Sequence, residues 1–245
     1  MKKTNRMSYK ESSVLITGAS QGIGRSIAIT FAAMTRRPLL LLARNKKNLE
    51  QTKLLSQEAG AEQVGLLVCD ATSEEAVSRL RIPAGFPEPG ILINNAGSYL
   101  YKTLLETTEE EFRNQMNVNL FAAVNIVKRF LPGLLKMDRA KIINMSSVGA
   151  LRGLADSGAY SASKHALLGY TRSLRDELKK TDIGVTAINL GQTHSSSWDE
   201  SDMSPEKLIN PTDVASLIVT MSEFSARTVI EEVTLQPQHG RVSAI

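Results

Sequence analysis

Val14-Leu15-Ile16-Thr17-Gly18-Ala19-Ser20-Gln21-Gly22-Ile23-Gly24 is the stretch whose reading decides the fold. A short β-prone apolar run ends in a glycine-bearing turn. Ile23, Ile27 and Phe31 then recur every four residues, the spacing of one helix face. Glycine lets the backbone turn tightly and come close to a ligand, and the helix that follows aims its unpaired N–H groups at whatever lies in the turn. The spacing is Gly-x-x-x-Gly-x-Gly rather than the Gly-x-Gly-x-x-Gly of the dinucleotide fingerprint. Taken alone, residues 18–24 fit either a structural turn or a phosphate cradle.

Outward from this turn the same alternation continues. Val14–Thr17, Leu39–Ala43, Val64–Cys69, Ile91–Asn94, Lys141–Met145, Val185–Leu190 and Val229–Gln236 read as strands separated by amphipathic stretches, the pattern of repeated βα units around a mainly parallel sheet. Thr72 with Glu75 and Thr108 with Glu111 have capping-box spacing, and Pro211 after Asn210 marks another helix start. Arg81–Gly90 carries three prolines and two glycines, so the crossover before Ile91 is expected to hold a short helix and then a loop. No repeat or linker-like segment divides the chain. Residues 1–13 are expected to be a flexible N-terminal segment and residues 14–245 a single domain.

Composition narrows the function. With 245 residues, 42% hydrophobic and 22% charged, the chain has the make-up of a soluble globular protein, and its single cysteine asks for no oxidising compartment. Its net charge of +4 is scattered rather than gathered into a basic stripe, which argues against nucleic acid. Neither a signal peptide nor a membrane-length apolar run is present, so a cytoplasmic location and no membrane partner are expected. His165, His194, His239 and Cys69 form no spaced ligand cluster, and no metal is expected.

After the second strand, Ala43 is followed by Arg44, where an acid would accept from a ribose diol. A guanidinium suits a 2′-phosphate instead, which favours NADP(H). Farther along, Ser147 follows the fifth strand, and Tyr160 and Lys164 stand one helical turn apart on a common face. A phenol with a pKa of about 10 needs a nearby cation to shuttle protons near neutrality, and Lys164 can supply it. Ser147 can hold a substrate carbonyl beside the phenol. A Tyr-x-x-x-Lys pair or a Ser-Ser turn by itself is also common by chance.

Thr17-Gly-Ala-Ser-Gln-Gly-Ile-Gly24, Asn94-Asn-Ala-Gly97, Asn119, Ile143-Asn-Met-Ser-Ser147 and Tyr160-Ser-Ala-Ser-Lys164 together resemble the successive motifs of the short-chain dehydrogenase/reductase family, in its order and spacing. The resemblance implies a Rossmann-like, doubly wound α/β fold with a seven-stranded parallel sheet and helices on both faces. It implies that Asn119, Ser147, Tyr160 and Lys164 are catalytic: Tyr160 as general acid in reduction, Lys164 also on the nicotinamide ribose, Ser147 on the substrate oxygen, and Asn119 holding a water that links Lys164 to solvent. It places Gly18, Ser20, Gln21, Gly22, Ile23, Gly24, Arg44, Asp70, Ala71, Asn95, Ala96, Gly97, Gly191 and Thr193 against NADP(H), with Tyr160 and Lys164. It also implies a homodimer or homotetramer built partly on the helices carrying Asn119 and Tyr160.

The chain departs from the family pattern after the sixth strand, where Leu190-Gly191 replaces Pro-Gly and Ser195 stands at the place of a threonine. The substrate is expected to meet Ser147, Tyr99, Leu154, Tyr160 and Trp198; Trp198 suits either a stacked substrate ring or a lid anchor. Trp198 and Arg227–Pro237 are similar to bacterial sepiapterin-reductase-like members. The expected function is hydride transfer between NADP(H) and a small to medium ketone, with a pterin-like ketone as one candidate. Alternatives are a non-catalytic NADP(H)-binding regulator, a 3-oxoacyl-thioester reductase, and a dehydratase or epimerase on the same fold.

Overall fold

Runs such as Leu39-Leu40-Leu41-Leu42 have no polar face to offer solvent, so a sheet made of them has to be covered on both sides. The computed structural model, which describes residues 6–195, 198 and 203–241, meets that requirement. Its strands are β1 (Ser13–Thr17), β2 (Leu39–Ala43), β3 (Val64–Val68), β4 (Pro89–Asn94), β5 (Ala140–Ser147), β6 (Ile183–Leu190) and β7 (Glu232–Leu235). Its α-helices are α1 (Gly22–Met34), α2 (Lys46–Glu58), α3 (Glu74–Ser78), α4 (Glu109–Met116), α5 (Ala122–Leu134), α6 (Gly158–Leu178) and α7 (Pro211–Glu223). All the strand pairings are parallel, in the order β3-β2-β1-β4-β5-β6-β7.

Successive residues of the central strands feed opposite cores, as the period of two requires, while β7 at the edge sets only Val233 and Leu235 against the core. Ile16, Leu41 and Ile93 join Ile27 and Phe31 of α1 and Val214 and Ile218 of α7 on one face. Leu15, Leu42 and Leu92 join Ile126 and Phe130 of α5 and Leu174 of α6 on the other. Cys69 belongs to this second core, just past the end of β3.

Several local expectations are refined. The Thr108–Glu111 capping box forms, and Asn210 caps α7 through Thr212 N. At α3, however, the cap is Ser73, bonded to Ala76 N, because Asp70 takes the Thr72 hydroxyl. The short crossover is as expected: α3 is followed by the proline-glycine loop into β4. β7 is shorter than Val229–Gln236, and β5 and β6 are longer than read, since pairing continues past the apolar residues. The described residues ahead of β1 pack on the domain: Met7 pairs with Met137, and the buried Tyr9 ring lies under the guanidinium groups of Arg37 and Arg139 at 4.3 and 3.9 Å. Among the described residues, no helix is long and apolar enough to cross a membrane.

Candidate active site

β1 and β4 are neighbours from which the sheet order runs in opposite directions, so the loops after them part and leave a crevice at their carboxyl ends, where ligands bind in open α/β sheets. The glycine turn lies there. Gly18 has φ +64° and Gly22 φ +53°, values at which L side chains are strained. A Cβ on Gly18 would stand 2.9 Å from Ala96 Cα; one on Gly24 would run into the Gly18 carbonyl and stand 2.6 Å from Asn95 Nδ2. Thr17 fastens the two loops together. Its hydroxyl accepts from Asn95 N and Ala96 N, both at 3.0 Å, and its carbonyl accepts from Asn95 Nδ2.

Gln21 stands at the amino end of α1, whose first turn carries no acid. The Gly18–Gly24 turn, with Ser20 and Ile23, therefore fits a dinucleotide pyrophosphate by shape and by helix polarity. Gly24→Ala is expected to cost about 1–3 kcal/mol through this overlap, read as a lower thermal midpoint, and to weaken dinucleotide binding. A variant with an unchanged midpoint would show that the turn has room to spare.

Arg44 and Asp70 stand together at the ends of β2 and β3, with Nη1 to Oδ2 at 3.7 Å. Burial pushes the Asp70 carboxyl up, but the Thr72 amide and hydroxyl and the Arg44 guanidinium outweigh it and hold the group below its ordinary value. Ala71 is buried beside it, its carbonyl accepting from Asn125 Nδ2 at 3.0 Å. After β6, Leu190 stays in register with Leu235, so the strand simply continues where proline is usual. Gly191 then passes close to Leu235 and Gln236, where a Cβ would stand 3.0 Å from the Leu235 carbonyl, and Thr193 Oγ1 donates to the Gly191 carbonyl at 3.1 Å. A Cβ on Gly22 would stand 3.4 Å from that of Ser195, which brings the loop after β6 over the glycine turn.

The four catalytic candidates come from three elements. Ser147 closes β5, its hydroxyl accepting from Gly149 N at 3.0 Å. Tyr160 and Lys164 sit in the first turns of α6, and Gly149 lies between Ser147 and Tyr160, where a Cβ would stand 3.4 Å from Ser147 Oγ and 3.3 Å from Tyr160 Cε1. Asn119 lies in a π-helical turn, Asn117–Phe121, that joins α4 to α5 and was not foreseen. Its side chain is fixed by Ser98, Gln115 and Ser163: Oδ1 accepts from Ser98 N, and Nδ2 faces Ser98 O, Gln115 Oε1 and Ser163 Oγ at 3.0–3.1 Å. Gly97 lets Asn119 and Lys164 draw near, since a Cβ there would lie 2.9 Å from Asn119 Oδ1 and 3.5 Å from Lys164 Nζ.

Lys164 is buried, donates to the Met145 carbonyl at 2.9 Å, and stands 5.8 Å from the centre of the Tyr160 ring. Burial pulls the ammonium down to about 8. Burial also pushes the Tyr160 phenol up to about 12, with Ser147 opposing and Tyr99 adding to the rise. Desolvation therefore prevails over the stabilisation of the phenolate expected from Lys164, whose Nζ is directed at a backbone carbonyl. The phenol therefore keeps its proton at neutral pH, beside an ammonium close to its own titration.

Tyr99 stands edge-on to Tyr160, ring centres 4.9 Å apart, and its hydroxyl is bonded to Ser157 Oγ at 2.8 Å. Leu154 reaches the same place: a Cβ on Gly149 would lie 3.1 Å from Leu154 Cδ1 and 3.3 Å from Tyr160 Cε1. Trp198 is tied to its own loop, Nε1 donating to Thr193 O at 3.0 Å. Ser196, Ser197 and residues 199–202, on either side of Trp198, lie outside the described residues. Thr17, Ser98, Gln115, Met145 and Ser163, which hold the site in shape, were not given this role from sequence; only the four-residue spacing of Gln115 and Asn119 hinted at any of them.

A glycine turn at the reversal point of an open parallel sheet, with Ser, Tyr and Lys gathered at the same edge, defines a doubly wound α/β protein whose site lies beyond its strand ends. The chain belongs to the short chain dehydrogenases, a family of oxidoreductases, whose model matches residues 12–205. It is 32% identical to a fatty acyl-CoA reductase of Acinetobacter baylyi, over 98% of this chain and 80% of that one. It is 29% identical to a sepiapterin reductase of Chlorobaculum tepidum, over 94% and 97%. Among solved structures, an alcohol dehydrogenase of Thermococcus sibiricus complexed with 5-hydroxy-NADP superposes with a TM-score of 0.85 at 25% identity, covering 95% of this chain and 99% of that one.

Proposed function

We propose that this protein is an NADP(H)-dependent carbonyl reductase, acting on a small to medium ketone, with Tyr160 as general acid. The observation that carries this reading is the junction of Ser147, Tyr160 and the buried Lys164 at the crevice whose glycine turn fits a pyrophosphate. Arg44 at the end of β2 supports NADP(H) over NAD(H), as does the NADP analogue in the archaeal relative. Bound there, the nicotinamide supplies the hydride.

The chain's own residues manage the proton. Ser147 and Tyr160 orient the substrate oxygen, and Tyr160 Oη gives up its proton as negative charge develops there. The Lys164 ammonium and the Ser147 hydroxyl stabilise the resulting phenolate. Asn119, held by three neighbours and close to Lys164, positions the route by which the proton is restored. Tyr99, Leu154 and Trp198 form the substrate side. A sepiapterin-like ketone and a 3-oxoacyl thioester are both substrates to test, in view of the two curated relatives. We place the protein in the cytoplasm as a homodimer or homotetramer. The cavity of about 580 Å³ lined by Phe112, Met116 and Phe121, on the outer side of α4 and the π turn, supports such an interface.

The test is NADPH oxidation against diketones, 3-oxoacyl esters and pterin side-chain ketones, with NADH in parallel. Tight NADPH binding without turnover on any of them would favour a regulator. The Lys164 value also sets a pH dependence. Because the ammonium must be charged to support the phenolate, kcat/KM for reduction is expected to hold below pH 8 and to fall about tenfold per unit above it. Lys164→Arg should displace that limb upward, provided it retains activity. A profile still flat at about pH 10 would remove Lys164 from this role.

A further inference from the structure

Exposed leucines and tyrosines scattered singly over a surface carry no message, whereas a cluster at the mouth of a site does. Among the described residues, the large hydrophobic side chains that remain exposed include Tyr99, Tyr101, Leu104, Leu105 and Leu151, all on the loops that follow β4 and β5. Leu105 is fully exposed, at 101%. These are the two loops that leave the strand ends beside Tyr160.

The loops are stitched into one surface. Lys102 N donates to Asp156 O at 2.6 Å, Tyr101 Oη to Asp156 Oδ2 at 3.5 Å, and Tyr99 Oη is bonded to Ser157 Oγ. The surface is continuous with the reaction centre. Tyr99 stacks edge-on against Tyr160, and Leu104 covers Gly158 at the start of α6, where any Cβ would overlap its Cδ2.

On the loop after β4 the polar groups are turned to one another. Lys102 Nζ is held by both Glu111 oxygens at 2.8 and 2.9 Å, and Thr103 Oγ1 by Glu106 Oε2 at 2.6 Å. What the loop after β4 offers a ligand leading away from Tyr160 is therefore mainly hydrocarbon and aromatic edge, with the exposed Arg152 beside Leu151 as the charged border of the rim.

We propose that this rim receives the aliphatic chain of the substrate, so that the preferred carbonyl compounds carry an extended hydrocarbon tail rather than a compact polar ring. The inference rests on the reductase reading above. The occupant is assigned to the substrate and not to a second protein chain because the apolar surface begins at the catalytic phenol itself, with Tyr99 and Leu104 forming the link.

The test is kcat/KM for a homologous series of unbranched methyl ketones with saturating NADPH. A rise of about two- to fourfold per added methylene is expected over the lengths that reach the rim, as burial of each methylene dictates. In Leu105→Ser combined with Tyr101→Ser that slope should fall by at least half, while Leu54→Ser, on the remote α2, should leave it as in the parent. Sedimentation of each variant is measured alongside. A flat slope in a protein that does reduce the short ketones, or the pterin ketone, overturns the tail assignment and leaves the reductase reading standing. So does a changed association state in the rim variant with its slope intact, which would give the rim to a second copy. Failure to reduce any carbonyl compound in the presence of bound NADPH overturns the reductase reading, and the tail assignment with it.

Discussion

Replacing Tyr160 by phenylalanine is expected to lower NADPH-driven reduction by about 10²- to 10⁴-fold, the range over which a positioned general acid contributes. The variant loses a single hydroxyl, and the ring keeps its edge-on contact with Tyr99, so the fold should persist. Neighbouring groups are poorly placed to replace it: Tyr99 Oη is bonded to Ser157, and Lys164 Nζ is directed at the Met145 carbonyl. NADPH should still bind, since the glycine turn and Arg44 are untouched; fluorescence titration of NADPH beside the kinetic assay separates the two effects. A phenylalanine variant within about tenfold of the parent would remove Tyr160 as the proton donor.

Arg44→Ala is expected to weaken NADPH by about 10- to 100-fold while leaving NADH nearly unchanged, because a hydrogen bond to a charged group contributes about 1.5–3 kcal/mol. Stability should scarcely move. The Arg44–Asp70 pair is long, at 3.7 Å, and the guanidinium is largely exposed, so its contribution to folding is small. Its freedom is also what suits it to a ligand: the side chain gives up little when it turns from Asp70 to a phosphate. The ratio of the dissociation constants for NADPH and NADH, compared between parent and variant, is the readout. Parallel weakening of both would mean that Arg44 acts on the shape of the β2 end rather than on a 2′-phosphate.

Much of this protein is legible in the linear chain because its strands are buried on both faces. Runs such as Leu39–Leu42 announce themselves without alternation, and turn glycines and prolines punctuate them. Gly18 and Gly22 could be read as turn residues because only glycine takes positive φ without strain, and the structure has both there. Helical spacing put Tyr160 and Lys164 on one face, and the structure has both in α6, while their role was named only with the other motifs of the family.

Other features are invisible at that level because they depend on groups distant in sequence. The hydroxyl of Thr17 joins the glycine turn to residues 95 and 96 across the β1–β4 junction. The π turn at Asn119 has no composition of its own, and the Asn119 side chain within it bonds to Ser98 and Ser163 from elsewhere in the fold. The balance of charge was likewise decided in three dimensions. Spacing put a cation near a phenol, but burial set the direction of both shifts, raising Tyr160 and lowering Lys164. The order of strands and helices follows from local pattern in the chain, and the candidate site residues were named through motifs taken together as a family set. Tertiary structure alone decided the titration of the site and the apolar rim beside it, because desolvation and exposure are properties of what surrounds a residue in space.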